Sequence, residues 1–83
     1  MPRYFIDSDD GELHVHDEEG QDLPDAVTAQ RLATAMLPDM AREKITEGEG
    51  RVFLVRVRDE AGAILYRGTL SFAGEWAKPD RSS

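Results

Sequence analysis

Between Leu23 and Lys44 the chain repeats its apolar residues with a helical period, and nowhere else does it do so for long. Ala26, Ala29, Leu32, Ala33, Met36, Leu37 and Met40 recur at intervals of three and four, which places them on one stripe of an α-helix. Thr28, Arg31, Asp39 and Arg42 fall on the opposite side. Leu23-Pro24-Asp25 opens the segment. Proline suits a first turn, where the N–H it lacks would have no partner, and Asp22 or Asp25 can cap the turn and complement the helix dipole. Arg42 and Lys44 stand near the other end with the favourable sign, and Gly48 and Gly50 stop the run. Pro38 interrupts it, removing one backbone hydrogen bond at a cost of roughly 3 kcal/mol. A kink is expected there, or two shorter helices with Pro38 opening the second.

The rest of the chain reads as short strands. Arg3–Asp7 is aromatic and β-branched, a first strand. Ser8–Glu12 is a polar loop with glycine, and Leu13-His14-Val15-His16 alternates as a second strand with Leu13 and Val15 inward. Asp17–Asp22 is an acidic connection into the helix, and Glu47–Gly50 is a turn after it. Arg51–Arg58 is a third strand in which Phe53, Val55 and Val57 alternate with Leu54, Arg56 and Arg58. A tight Asp59–Gly62 turn leads to a fourth strand, Ala63–Phe72, with Ile64, Tyr66, Leu70 and Phe72 on one face. Pairing Arg58 with Ala63 sets Val57 against Ile64 and Val55 against Tyr66, although a glycine bulge at the turn would shift this by one.

The order is therefore β-β-α-β-β, an α+β fold: a four-stranded antiparallel sheet with one proline-kinked helix across one face. A single domain is expected over residues 1–74, followed by a polar tail over 75–83 that contains Trp76. A chain of 83 residues buries only roughly 60–65% of its unfolded surface, so its core is modest.

The opposite sheet face has nothing to cover it. By parity it carries Phe5, His14, His16, Leu54, Arg56, Arg58, Leu65 and Arg67, a mixture of apolar and basic side chains on a chain whose formal net charge is −7. An apolar patch of this kind marks an interface. Residues 1–50 hold 4 Lys/Arg against 13 Asp/Glu, and residues 51–83 hold 6 against 4. The acidic half argues against general nucleic-acid binding, which depends on neutralising phosphates. The absence of cysteine excludes a disulfide framework and a thiol nucleophile and suits a reducing cytosol. No apolar run approaches a membrane span, and the N-terminus lacks the layout of a signal peptide, so a cytoplasmic location is expected.

The opening Met1-Pro2-Arg3-Tyr4-Phe5 with Asp7, then Asp9-Asp10-Gly11, Asp17-Glu18-Glu19-Gly20 and Leu23-Pro24-Asp25 before an alanine-rich helix, resembles a family of small bacterial proteins. It is the domain-of-unknown-function family numbered 6894, common in alphaproteobacteria. Val55, Val57, Asp59, Gly62, Leu70 and Phe72 match in the second hairpin, and the likeness covers about residues 1–72. Pro38, His14 and His16 depart from that pattern. The resemblance implies the fold boundaries and transfers no site residue, because the family has no established activity.

Motifs that carry chemistry are weak. Pro2 could act as a base only if a tautomerase fold followed it, and here the first strand meets a hairpin. Counted from Asp7, the acidic loop puts Gly11 where a calcium loop needs an oxygen ligand and Glu12 where it needs glycine. His14 and His16 share a strand face but form only half of a metal site. No serine stands in a pattern that supplies a base and an orienting acid. The expectation is a non-enzymatic protein-interaction module without cofactor, metal or small-molecule substrate, self-associating through Phe5, His14, His16, Leu54, Arg56, Leu65 and Arg67. An alternative is an antitoxin-like regulator. The acidic Leu-Pro-Asp step into an alanine-rich helix after a hairpin is loosely similar to HicB-type antitoxins, which implies a basic protein partner.

Overall fold

A computed structural model describes residues 1–46 and 48–77 of the chain. The expected tail from Lys78 onward, and Glu47 in the expected turn, lie outside the described residues. Helix α1 spans Ala26–Lys44 and opens at Asp25, whose carboxylate accepts the N–H of Thr28 at 2.8 Å. Asp25, rather than Asp22, is thus the cap. Pro38 lies inside this helix without dividing it. Its side chain faces solvent, where the carbonyl left without a partner can be hydrated instead of buried.

The buried stripe of α1 is Ala29, Ala33, Leu37 and Ala41. Met36 and Met40 pack against it from one side, while Ala26 and Leu32, expected in the stripe, are exposed. Three small side chains on this line let the helix lie close to the sheet. The core is completed there by Tyr4, Ile6, Phe53, Val55 and Val57. Each of the larger apolar side chains contributes roughly 1.5–3 kcal/mol when fully buried.

Among the described residues the sheet is antiparallel and has five strands: β1 (Arg3–Asp9), β2 (His14–Val15), β3 (Gln21–Asp22), β4 (Gly50–Arg58) and β5 (Ile64–Ala73). The order is β2-β1-β4-β5, with β3 also paired to β1. The expected second strand and the expected acidic connection are together one return path along β1. Val15 pairs with Ser8 and His14 with Asp9 at one end, and Gln21 pairs with Tyr4 and Asp22 with Arg3 at the other. Between them residues 16–20 bulge away from the ladder. Leu13 and Val15, expected inward, are exposed because α1 contacts β1, β4 and β5 but does not reach this edge.

The β4–β5 register also differs from the simplest reading. Val57 pairs with Tyr66, Val55 with Gly68 and Arg58 with Ile64, with an irregularity between Val57 and Arg58. The turn ahead of it is held by Asp59, whose carboxylate accepts the N–H groups of Ala61 and Ala63, with Gly62 at a φ of 88° that few other residues adopt. This bulge turns Leu65 to the helix side, where it lines a shallow pocket with Ala26, Val27, Gln30, Val57 and Tyr66. Leu65 is therefore not part of the uncovered face, contrary to the parity reading.

Candidate interaction face

The face opposite α1 is built from alternate residues of three strands, and its centre is an acid. Asp7 is 2% exposed, the one buried polar or charged residue among those described. Its position follows from strand parity: Asp7 shares a face with Phe5 and pairs in register with Arg56, while Phe5 pairs with Arg58. Arg58 grips the carboxylate with two hydrogen bonds, Nε to Oδ2 and Nη2 to Oδ1, both 2.9 Å. Arg56 adds Nε to Oδ2 at 3.0 Å, and the Asp17 N–H donates to Oδ1 at 2.9 Å. Burial by itself raises the proton affinity of Asp7. The hydrogen bonds from Arg58, Asp17 and Arg56 outweigh it and hold the carboxyl well below the usual carboxylate range.

Asp17 fills the gap left by the bulge. Its Oδ2 accepts the N–H of Ile6 at 3.0 Å, and its Oδ1 accepts those of Glu19 and Gly20. A side-chain carboxylate thus does for Ile6 what a ladder carbonyl would otherwise do. Burial raises the affinity of Asp17 for a proton, as does the Asp7 charge, but these three hydrogen bonds prevail and lower its pKa. Arg58 ties the bulge down through Nη2 to the Asp17 carbonyl at 2.8 Å, and its guanidinium lies 5.1 Å from the Phe5 ring centroid. Gly20 closes over Phe5 at a φ of 68°, and a Cβ there would stand 2.8 Å from both the ring and the Tyr4 carbonyl.

The residues expected on this face are thus mostly brought together, in two groups. Arg58 and Arg56 are tied to Asp7, Phe5 lies under the Arg58 guanidinium, and His16 stands beside Asp7 with Nδ1 at 3.6 Å from Oδ1. Farther along, a groove of about 140 Å³ is lined by Asp7, Asp9, His14, Leu54, Arg56, Arg67 and Thr69. His14 is 3.5 Å from Asp9, so the two histidines stand beside different carboxylates. Among the described residues no group of three or more His, Cys, Asp or Glu is placed to hold a metal ion.

Leu54 is 41% exposed in this groove, and Val52 beyond it is 47% exposed. Arg67 pairs in register with Arg56. Like charges directly opposite each other destabilise a sheet, and Asp7 neutralises only one of them. Trp76 is exposed beyond β5, beside Glu49 and Gly74, and is not among the residues lining the groove.

Sequence reading missed Asp7, assigning it to a strand end and a failed calcium frame. The signal was present: the same alternation that placed Arg56 and Arg58 on the uncovered face places Asp7 there beside Phe5. Much of the acidic character of the first half also has a local cause. Asp7, Asp9, Asp10, Asp17 and Asp25 each accept main-chain N–H groups in turns, caps or the bulge.

The sequence model of one protein family, described as a domain of unknown function (DUF6894), matches residues 3–71. No curated protein and no solved structure matches the chain.

Proposed function

The chain belongs to this family of unknown function, and we propose that it is a non-enzymatic protein-interaction module that self-associates by stacking the sheet face its helix leaves uncovered. The observation that carries this reading is the exposure of Leu54 and Val52 on a face organised by the fully paired Asp7. A centre whose buried carboxylate is fully hydrogen-bonded, with apolar side chains beside it, suits a sheet-on-sheet contact. A second copy also supplies charge complementarity. In a two-fold contact, residue i meets j and j meets i, and Asp9 and Arg67 line the same groove, so each copy offers an acid to the other's Arg67. A bacterial, cytoplasmic setting is part of this proposal and agrees with the family resemblance and the absence of cysteine.

The test is solution mass by light scattering coupled to size exclusion, over a range of concentrations, for the wild-type chain and for Leu54→Asp. A charge introduced at the centre of the contact is expected to halve the mass of the assembly while the circular dichroism stays that of the folded protein. An unchanged mass for Leu54→Asp would overturn the assignment of this face.

A further inference from the structure

Strand β5 is the far edge of the sheet. Among the described residues it pairs only with β4, along its whole length. Natural sheets blunt such edges with shortness, lysine, proline, inward charges or bulges. Beyond the Arg58–Ile64 irregularity, β5 has none of these. Residues Tyr66–Ala73 run in regular register, contain no Asp, Glu, Lys or Pro, and carry one charge, Arg67. Leu70 and Phe72 are 37% and 38% exposed.

The direction of its free backbone groups can be read from one bond. The Gly74 N–H donates to the Glu49 carbonyl at 2.7 Å, so residue 74 bonds toward β4. In an antiparallel ladder successive residues bond alternately to one side and the other. With the register regular from Ala73 back to Tyr66, the even residues bond to β4, and Arg67, Thr69, Ser71 and Ala73 present their N–H and C=O groups outward.

We infer that this edge is a homodimer seam, in which β5 of a second copy adds antiparallel across a two-fold axis at Thr69. Opposed residues must share a face, so the paired positions sum to an even number. A sum of 134 sets Arg67 against Arg67, and 136 sets Gly68 against Gly68. With the axis at Thr69, Thr69 meets its own copy, Arg67 meets Ser71, Gly68 meets Leu70 and Tyr66 meets Phe72. This register gives an aromatic pair on the helix side and hydroxyl or main-chain partners on the other, with outward-pointing residues opposite one another, and such cross-strand pairs are the stabilising unit of a sheet.

Charge selects a second copy over another strand of arbitrary sequence. The acidic segment 9–22, which has no Lys or Arg, lies at the opposite edge through β2 and β3, so joining two β5 strands keeps those charges at the far ends of one ten-stranded sheet. The seam is a main-chain ladder, whereas the stacked face is a side-chain contact centred on Leu54. Thr69 pairs with Leu54 and lines the groove, so a covalent link at position 69, rather than loss of mass alone, distinguishes the seam from the face.

Thr69→Pro tests it, because proline there removes an outward N–H and leaves the bonds to β4 intact. The mass of the assembly is expected to halve with the circular dichroism unchanged, whereas Leu54→Asp keeps the seam. An unchanged mass for a folded Thr69→Pro protein overturns the seam without touching the face proposal. A second pair of variants decides the matter even where proline disturbs folding. The chain has no cysteine, and two Thr69 Cα atoms on the axis stand about 5.5 Å apart, a separation a disulfide spans. Thr69→Cys should cross-link under mild oxidation into a covalent dimer, and Ser71→Cys, roughly 13 Å from its copy along the strand, should not. No cross-linking of Thr69→Cys, or equal cross-linking of both, would overturn the two-fold register; capture of an unrelated extended peptide by an otherwise monomeric chain would replace the second copy as the occupant.

Discussion

Asp7 decides the chemistry of the uncovered face. A carboxylate that is buried and gripped by two arginines makes little net contribution relative to an apolar alternative, but removing it strands both guanidinium groups. Asp7→Ala should therefore cost about 3–5 kcal/mol in denaturant unfolding, a large part of the stability of a domain this small. The pH dependence has a definite sign. The carboxyl pKa is lower in the folded chain than in the unfolded one, where it lies near 3.9. Its contribution is therefore complete above the unfolded value and is lost as pH falls through the folded value. Wild-type stability should stay level from pH 7 to about 5 and then decline. Asp17, Asp10 and Asp25 act in the same direction. Asp7→Asn should show a shallower decline; a slope equal to wild type would mean that Asp7 is not the acid-labile group. Its face was readable from parity, since Phe5, Arg56 and Arg58 were assigned there by the same alternation; its place between the two arginines was not, because that depends on the β1–β4 register. The Asp17 carboxylate was not readable, because its acceptance of the Ile6 N–H depends on a bulge that no short-range pattern announces.

At the level of elements, the helix was legible almost in full. Spacing and capping gave Leu23 to Lys44, and α1 spans Ala26–Lys44. Of the two expectations for Pro38, a split does not occur: α1 continues through it, and the stripe Ala29, Ala33, Leu37 and Ala41 holds both halves to one sheet. The proline penalty is then still present in the folded state. Pro38→Ala should stabilise the protein by about 1–3 kcal/mol, the helix-interior cost of proline reduced by its greater stiffness in the unfolded chain. Chemical denaturation measures this directly, and a variant no more stable than wild type would show that the turn at Pro38 is already relaxed. The strands were legible as existence and type but less so as boundaries. Gln21–Asp22 joins β1 only because the chain returns beside it, and two residues carry too little alternation to declare a strand. The bulge between β4 and β5 moved Leu65 from one face to the other, the consequence of a one-residue slip in a structure whose side chains alternate with period two.

At the scale of the molecule, among the described residues, one helix covering a five-stranded sheet leaves two kinds of surface without a partner: the face opposite α1 and the outer edge of β5. Among the described residues no helix is long and apolar enough to cross a membrane. If both surfaces are used and their two-fold axes intersect at right angles, stacked faces and joined edges close into a tetramer with two distinct two-fold contacts. The double variant Leu54→Asp/Thr69→Pro should then run as a folded monomer of 9.3 kDa, while each single variant keeps one contact. A double variant that still associates would place the contact on α1 or on the β1 edge instead. The amino-acid order alone determined the helix span and the core-facing sides of β1 and β4, because these follow from periodicities of 3.6 and 2 that every local window repeats. Only the tertiary structure decided which edge stayed open, that β3 exists, that Leu65 turns to the helix side and that Asp7 stands between two arginines. Each of these depends on the register between segments far apart in the chain, where a single bulged residue reassigns every neighbour that follows it.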